Sequence, residues 1–164
     1  MHEKGQIFTT DFIFASAIFL TILIAAMTFG NTISNQLDLK EKSMARDEAG
    51  FHAANSLLSS VGEPKNWQNQ NIADINAIGL VNGQNIIDNS KLQKLIDLNS
   101  TNYQDVKDLL GLAKYELHIS IQDLNGSIYR EFGLAPGNEN EVSAIRRIAL
   151  WEKKEVIVKT QVWE

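Results

Sequence analysis

The sequence predicts an α+β fold in which a long N-terminal helix, membrane-spanning in its first half, packs on a C-terminal antiparallel β-sheet. Three observations predict it. From Phe12 to Leu37 there is no Asp, Glu, Lys or Arg. Apolar residues then recur at steps of three, four or seven as far as Val61, the period of a helix with one apolar stripe. From Tyr115 onward the pattern changes to alternation, the period of a strand.

The length of 164 residues allows one ordinary domain, or a small domain with an appendage, and excludes a large two-domain enzyme. Hydrophobic residues at 44% and charged residues at 21% are globular values, which excludes wholesale disorder and collagen-like or coiled-coil repetition. A net charge of -5 argues against a nucleic-acid partner, because neutralising phosphates takes a surplus of Lys and Arg. The chain has no Cys, which removes disulfides, thiolate nucleophiles, iron–sulfur clusters and Cys-zinc sites.

The first element is the helix. The stretch Phe12–Gly30 (FIFASAIFLTILIAAMTFG) would be about 28 Å long as a helix, close to the ~30 Å hydrocarbon core of a bilayer. A core helix that is apolar all round needs protein on every side, and the remaining chain is too small to supply it. A removed secretory signal has a basic front, a shorter apolar run and a small-residue cleavage site behind it. Here Glu3 and Lys4 stand in front, and the segment runs on into more helix. A retained single span over 6–37 is favoured. Its orientation by the Lys/Arg count, with Lys4 before and Lys40, Lys42 and Arg46 after, puts the C-terminal side in the cytoplasm.

Residues 38–61 continue the helix as an amphipathic segment. Ile33, Leu37, Met44, Phe51, Ala54, Leu58 and Val61 form the stripe that calls for a covering surface. Asp38, Lys40, Glu41, Lys42, Arg46, Asp47 and Glu48 fill the solvent faces. Gly62 and Pro64 end the helix. The head, 62–164, opens with an Asn/Gln-rich connector that reads as a packed loop region anchored by Trp67, Ile72, Ile75, Ile78, Leu80, Ile86 and Ile87. Within it Val81–Gln84 reads as a tight turn, with Gly83 supplying a positive φ. Two short helices follow, Ser90–Leu98 and Asn102–Leu110, with Ser90 and Asn102 as N-caps and Gly111 as the stop.

The last third reads as two hairpins. Tyr115–Gln122 and Ser127–Phe132 flank the Asp123–Gly126 turn; Val142–Trp151 and Val156–Trp163 flank Glu152–Glu155. A four-stranded antiparallel sheet results, with one face free to cover the helix.

At its N-terminus the sequence resembles the type IV pilin-like proteins, specifically archaeal pilin-like subunits. Their precursors carry a short polar leader ending in a small residue after a basic one, directly before the apolar helix, and Lys4-Gly5-Gln6 sits in that place. The architecture is similar over the whole chain, whereas the specific motif is confined to Lys4 and the span. The closing Arg146–Leu150 and Val162-Trp163 segments are similar to the endings of such proteins. The resemblance implies a leader of residues 1–5, cleavage by a prepilin peptidase between Gly5 and Gln6, and an outward-facing head. It also implies pilin-like partners that pack through their N-terminal helices, with Ala15, Ala17, Ala25, Ala26 and Gly30 allowing close approach. This orientation conflicts with the Lys/Arg count.

The sequence departs from the family at the fifth mature position, where many major pilins carry Glu and this chain has Thr10 followed by Asp11. Asp11 reads either as the substitute interfacial carboxylate or as the water boundary of the span. The departure fits a minor, initiating or accessory subunit. Asn99-Ser100-Thr101 and Asn125-Gly126-Ser127 fit the glycosylation pattern at Asn99 and Asn125. No catalytic residues, cofactor or metal are expected: His2, His52 and His118 are scattered, and Asp123-Asn125-Gly126 lacks the downstream Glu of a calcium loop. The second reading is a single-pass membrane protein whose small head binds a partner without forming filaments.

Overall fold

A computed structural model describes residues 3–83, 85–138 and 141–164, with side chains from Thr10 onward. Met1, His2 and Gln84 lie outside the described residues, as does the side chain of Gln6. The fold is α+β. Helix α1 spans Glu3–Ser59 and contributes to two compact units, one ending at Lys42 and the other comprising Ser43–Glu164.

The second unit is built on a mixed six-stranded sheet. Its strands are β1 (Val81–Gly83), β2 (Ile86–Ile87), β3 (Glu116–Gln122), β4 (Ile128–Gly133), β5 (Ser143–Trp151) and β6 (Lys154–Trp163), in the order β1-β2-β5-β6-β3-β4. The two predicted hairpins form, and β3 pairs with β6 to join them. The predicted four-stranded antiparallel sheet is corrected in one respect. The Asn/Gln-rich connector supplies β1 and β2, and β2 runs parallel to β5 with Ile86 opposite Leu150. The contact is fixed by backbone: Leu150 N–H donates to Asn85 O at 2.7 Å. Two residues in β2 are too few to show any alternation.

Turn chemistry explains the remaining differences. The positive φ in the β1–β2 turn falls on Asn85 (54°), and Gly83 lies within β1. In the β5–β6 hairpin Glu152 and Lys153 adopt φ of 51° and 66°, so the turn holds two residues and Lys154 and Glu155 belong to β6. That geometry matches the right-handed twist of the paired strands.

Helices α2 (Asn89–Asp97) and α3 (Tyr103–Leu109) lie within a residue of their predicted bounds. The cap of α2 is Asp88, not Ser90: its carboxylate accepts from Ser90 N at 2.8 Å and Lys91 N at 3.1 Å. Asn102 holds the N-cap position of α3 without a capping bond, and its amide donates to Asp105 instead.

The inner face of the sheet (Leu117, Ile119, Ile121, Val156, Val158 and Val162) is buried with Trp67, Leu92, Leu95 and Val106 and the last turns of α1. Here the predicted stripe is corrected. The buried positions of α1 are Arg46, Gly50, Ala53, Ala54, Leu57 and Leu58, whereas Met44 and Phe51 are exposed. At Gly50 the helix comes close to the sheet: a Cβ there would lie 2.8 Å from Ile145 Cδ1. α1 ends at Ser59, two residues before Val61, because the chain turns away: Leu80 N–H donates to Leu57 O at 2.7 Å and the Lys91 amine to Val61 O at 2.7 Å.

Candidate membrane segment and head surfaces

In the first unit, α1 is long and apolar enough to cross a membrane, and the most apolar stretch is wholly unburied. Phe12, Phe14, Phe19, Ile22, Ile24 and Phe29 are all exposed. Three threonines of α1 bond back to their own helix. Thr21 donates to Ala17 O at 2.8 Å, Thr28 to Ala25 O at 2.8 Å and Thr32 to Thr28 O at 2.9 Å. A hydroxyl bonded back to its own helix carries a smaller penalty in hydrocarbon, where no water can replace the bond. Asp11 is exposed at the front of this stretch, next to Thr10. Gly5 and Gln6, the pair expected to be processed, fall on the α1 backbone, and the Gln6 side chain lies outside the described residues.

The two glycosylation candidates sit on separate turns of the head. Asn99 is exposed after α2, and its side-chain oxygen accepts from Gly133 N at 2.9 Å, which leaves the amide nitrogen for attachment. Asn125 is exposed at the tip of the β3–β4 hairpin. Asp123 organises that turn by accepting from Asn125 N and Ser127 N, and these backbone bonds hold its carboxyl below the usual range.

The head also buries charged side chains, one of which, Arg46, the helical pattern assigned to solvent. Arg46, predicted on a solvent face, is buried and pairs with Glu141 at 2.9 Å. Lys107 is buried, with Nζ 2.9 Å from Glu116 Oε1, while the Tyr103 hydroxyl donates to Glu116 Oε2 at 2.8 Å. Burial pushes the Glu116 carboxyl up, but the bonds from Lys107 and Tyr103 outweigh it and hold the group below its ordinary value. Burial, with Glu116 beside it, pushes the Tyr103 hydroxyl up to about 12. Lys91 is 1% exposed and donates to Val61 O and Val81 O. Burial lowers its amine, an effect that the nearby Asp88 carboxylate opposes. His118, predicted on the polar face of its strand, is buried on the outer side of β3, 3.4 Å from Glu131. In each case a long side chain reaches a partner distant in sequence, which periodicity cannot register.

The outer face of the sheet carries aliphatic residues in register. Ile148 is opposite Ile157, Leu150 is opposite Ile86, and Ile86, Ile148 and Leu150 are all exposed. One step along, Arg146 and Lys159 face each other, and among the described residues neither pairs with a carboxylate. Elsewhere on the head a cleft of ≈ 520 Å³ is bounded by Gln68, Asn89, Gln93, Arg130 and Trp151. Its lining mixes amides with both signs of charge. Among the described residues no group of three His, Asp or Glu side chains is arranged to hold a metal.

No protein family matches the chain, and no curated protein or solved structure matches it significantly. The functional reading therefore rests on the residues and their geometry.

Proposed function

We propose that this chain is a pilin-like structural subunit of an archaeal type IV pilus-like filament or surface adhesion system, of the minor, initiating or accessory kind. It is anchored as a single-pass membrane protein by the apolar part of α1, and its head faces the outside. A prepilin peptidase cleaves the precursor between Gly5 and Gln6, and the subunits assemble through their N-terminal helices rather than by covalent chemistry. The observation that carries this reading is one helix with two surroundings. From Phe12 through Leu37 its apolar side chains have no protein cover, and from Arg46 through Leu58 its small and aliphatic face is part of the head's core. Lipid or neighbouring helices of like kind are the media that suit such an uncovered surface.

A second reading has the cleft beside Trp151 in its favour: the head of a membrane-anchored protein that binds a partner and forms no filament. The mature N-terminus separates the two. Expressed in its native host with a C-terminal tag, the protein is expected to yield an N-terminal peptide starting at Gln6, and a Gly5→Val variant is expected to lose that start. An intact Met1 or His2 start in cells with active prepilin peptidase would leave only the binding-domain reading.

A further inference from the structure

The cleft on the head gathers hydrogen-bonding groups from four parts of the chain: Gln68 in the connector, helix α2, Arg130 of β4 and the β5–β6 turn. Its volume of ≈ 520 Å³ falls within the ~300–1,000 Å³ range of small-ligand sites. The wall's own amides place its carboxylates. Gln93 donates to Asp97 Oδ1 at 2.9 Å, and Asn89 donates to Glu152 Oε1 at 2.9 Å. Each carboxylate keeps its second oxygen without a donor among the described residues. Lys94 and Arg130 add donors, and neither forms an ion pair among the described residues. Gln68 Oε1 is buried and likewise has no donor among them. Trp151 closes one side. Its indole N–H donates to Asn89 Oδ1, while the Tyr129 ring and the Arg130 guanidinium stand 5.6 and 5.8 Å from its ring.

The backbone at Glu152 adds a second observation. Its φ of 51° lies in the left-handed region that Gly adopts freely and Asn tolerates, and two-residue hairpin turns of this hand favour Asn-Gly. A glutamate works against that turn. What its side chain reaches from there is Asn89 and the cleft.

The chemistry of the lining selects the occupant. Lys94 and Arg130 balance Asp97 and Glu152, so neither a polyanion nor a polycation is favoured. The apolar lining residues Leu92 and Trp151 are only 4% and 8% exposed, too little to anchor an aliphatic or aromatic side chain. The remaining wall both donates and accepts, through amides, carboxylate oxygens and cations. Hydroxyl groups do the same, one donor and two lone pairs each. We infer that the cleft between α2 and the β5–β6 turn binds a neutral saccharide. This deepens the partner-binding reading of the head and rests on it, and it holds whether or not the chain forms filaments.

The test uses full-length protein purified from its native host in a detergent without a sugar headgroup. It is applied to an array of neutral hexoses, pentoses, N-acetylhexosamines and their oligomers, with dextran sulfate, poly-glutamate and poly-lysine as charged controls. Retention on at least one neutral saccharide is expected, and added salt should not weaken it. Glu152→Gly removes the carboxylate and relaxes the turn, so retention should fall about tenfold or more while the thermal midpoint holds or rises. Lys153→Gly relaxes the next turn residue, at φ 66°, and takes nothing from the cleft lining, so retention should stay within about twofold. No retention on any neutral saccharide would overturn the inference, as would retention on the charged controls alone. So would a Glu152→Gly variant that binds like wild type, or equal losses in the two glycine variants. The N-terminal peptide is read from the same preparation. A Gln6 start without retention overturns the saccharide site alone, and retention with an intact Met1 start overturns the processing alone.

Discussion

Lys107 is buried in the head with its amine 2.9 Å from Glu116, and Tyr103 shares the same carboxylate. The Glu116→Ala variant leaves the buried Lys107 amine without its carboxylate partner, while the half-buried Tyr103 hydroxyl keeps the Leu117 carbonyl as an acceptor. With a discount for the partial exposure of Glu116, the expected loss is roughly 2 kcal/mol in denaturant unfolding at neutral pH. The pH dependence has a definite sign. Glu116 titrates below its ordinary value in the folded state, so its stabilisation is complete above that value and fades as pH falls through the lowered one. Tyr103 acts at the other end. Its neutral form is favoured, so its contribution is present below the ordinary value of 10.0 and is lost as pH rises toward about 12. Unfolding curves of wild type and Glu116→Ala should thus converge in acid; curves that stay parallel would contradict the assignment. Gly79 supports the neighbouring junction by another means. A Cβ there would lie 1.9 Å from the Ser60 carbonyl oxygen, a backbone atom that cannot swing aside. Gly79→Ala is expected to lose about 3 kcal/mol or more, measurable as a lowered denaturant midpoint at unchanged slope.

At the scale of elements, the cap of α2 is a sharp point of disagreement between pattern and structure. Ser90 has the right side chain for a cap, but Asp88 is the residue whose oxygen meets two free N–H groups. Asp88→Ala is therefore expected to destabilise by about 1–2 kcal/mol and Ser90→Ala by under about 0.5 kcal/mol, read as shifts in the thermal midpoint. The reverse order would restore Ser90 as the cap. What the sequence made legible was long or strongly periodic: the α1 helix, α2 and α3 within a residue, and both hairpins, with the β5–β6 turn two residues shorter than read. Strand β2 was not legible, because Ile86-Ile87 becomes a strand only by pairing with Leu150, far along the chain. The buried side of α1 was read in part: Ala54 and Leu58 of the predicted stripe are buried, whereas Met44 and Phe51 are exposed and Arg46 is buried beside Glu141. Of the candidate sites, the glycosylation tripeptides and Asp11 were visible as motifs. The Lys107–Glu116–Tyr103 cluster was not, since it is assembled from two elements.

At the scale of the molecule, the uncovered apolar stretch of α1 is long and apolar enough to cross a membrane, and the proposed anchoring can be tested there. Leu20→Arg places a charge near its middle, which is expected to cost about 3 kcal/mol of insertion free energy relative to an apolar residue. Alkaline extraction of membranes checks this: the variant should shift toward the soluble fraction, whereas a position-matched Leu20→Ile should not. The head has its own long-range requirement. Gly50 rests against Ile145 and Val162, so this part of the inward face of α1 meets strands that are synthesised about a hundred residues later, and such separations slow folding. During synthesis the helix is made first and completed last. The ribosome thus delivers an anchor well before it delivers a head. For that interval Ala53, Leu57 and Leu58 have no sheet to meet, and their apolar surface stays open to water.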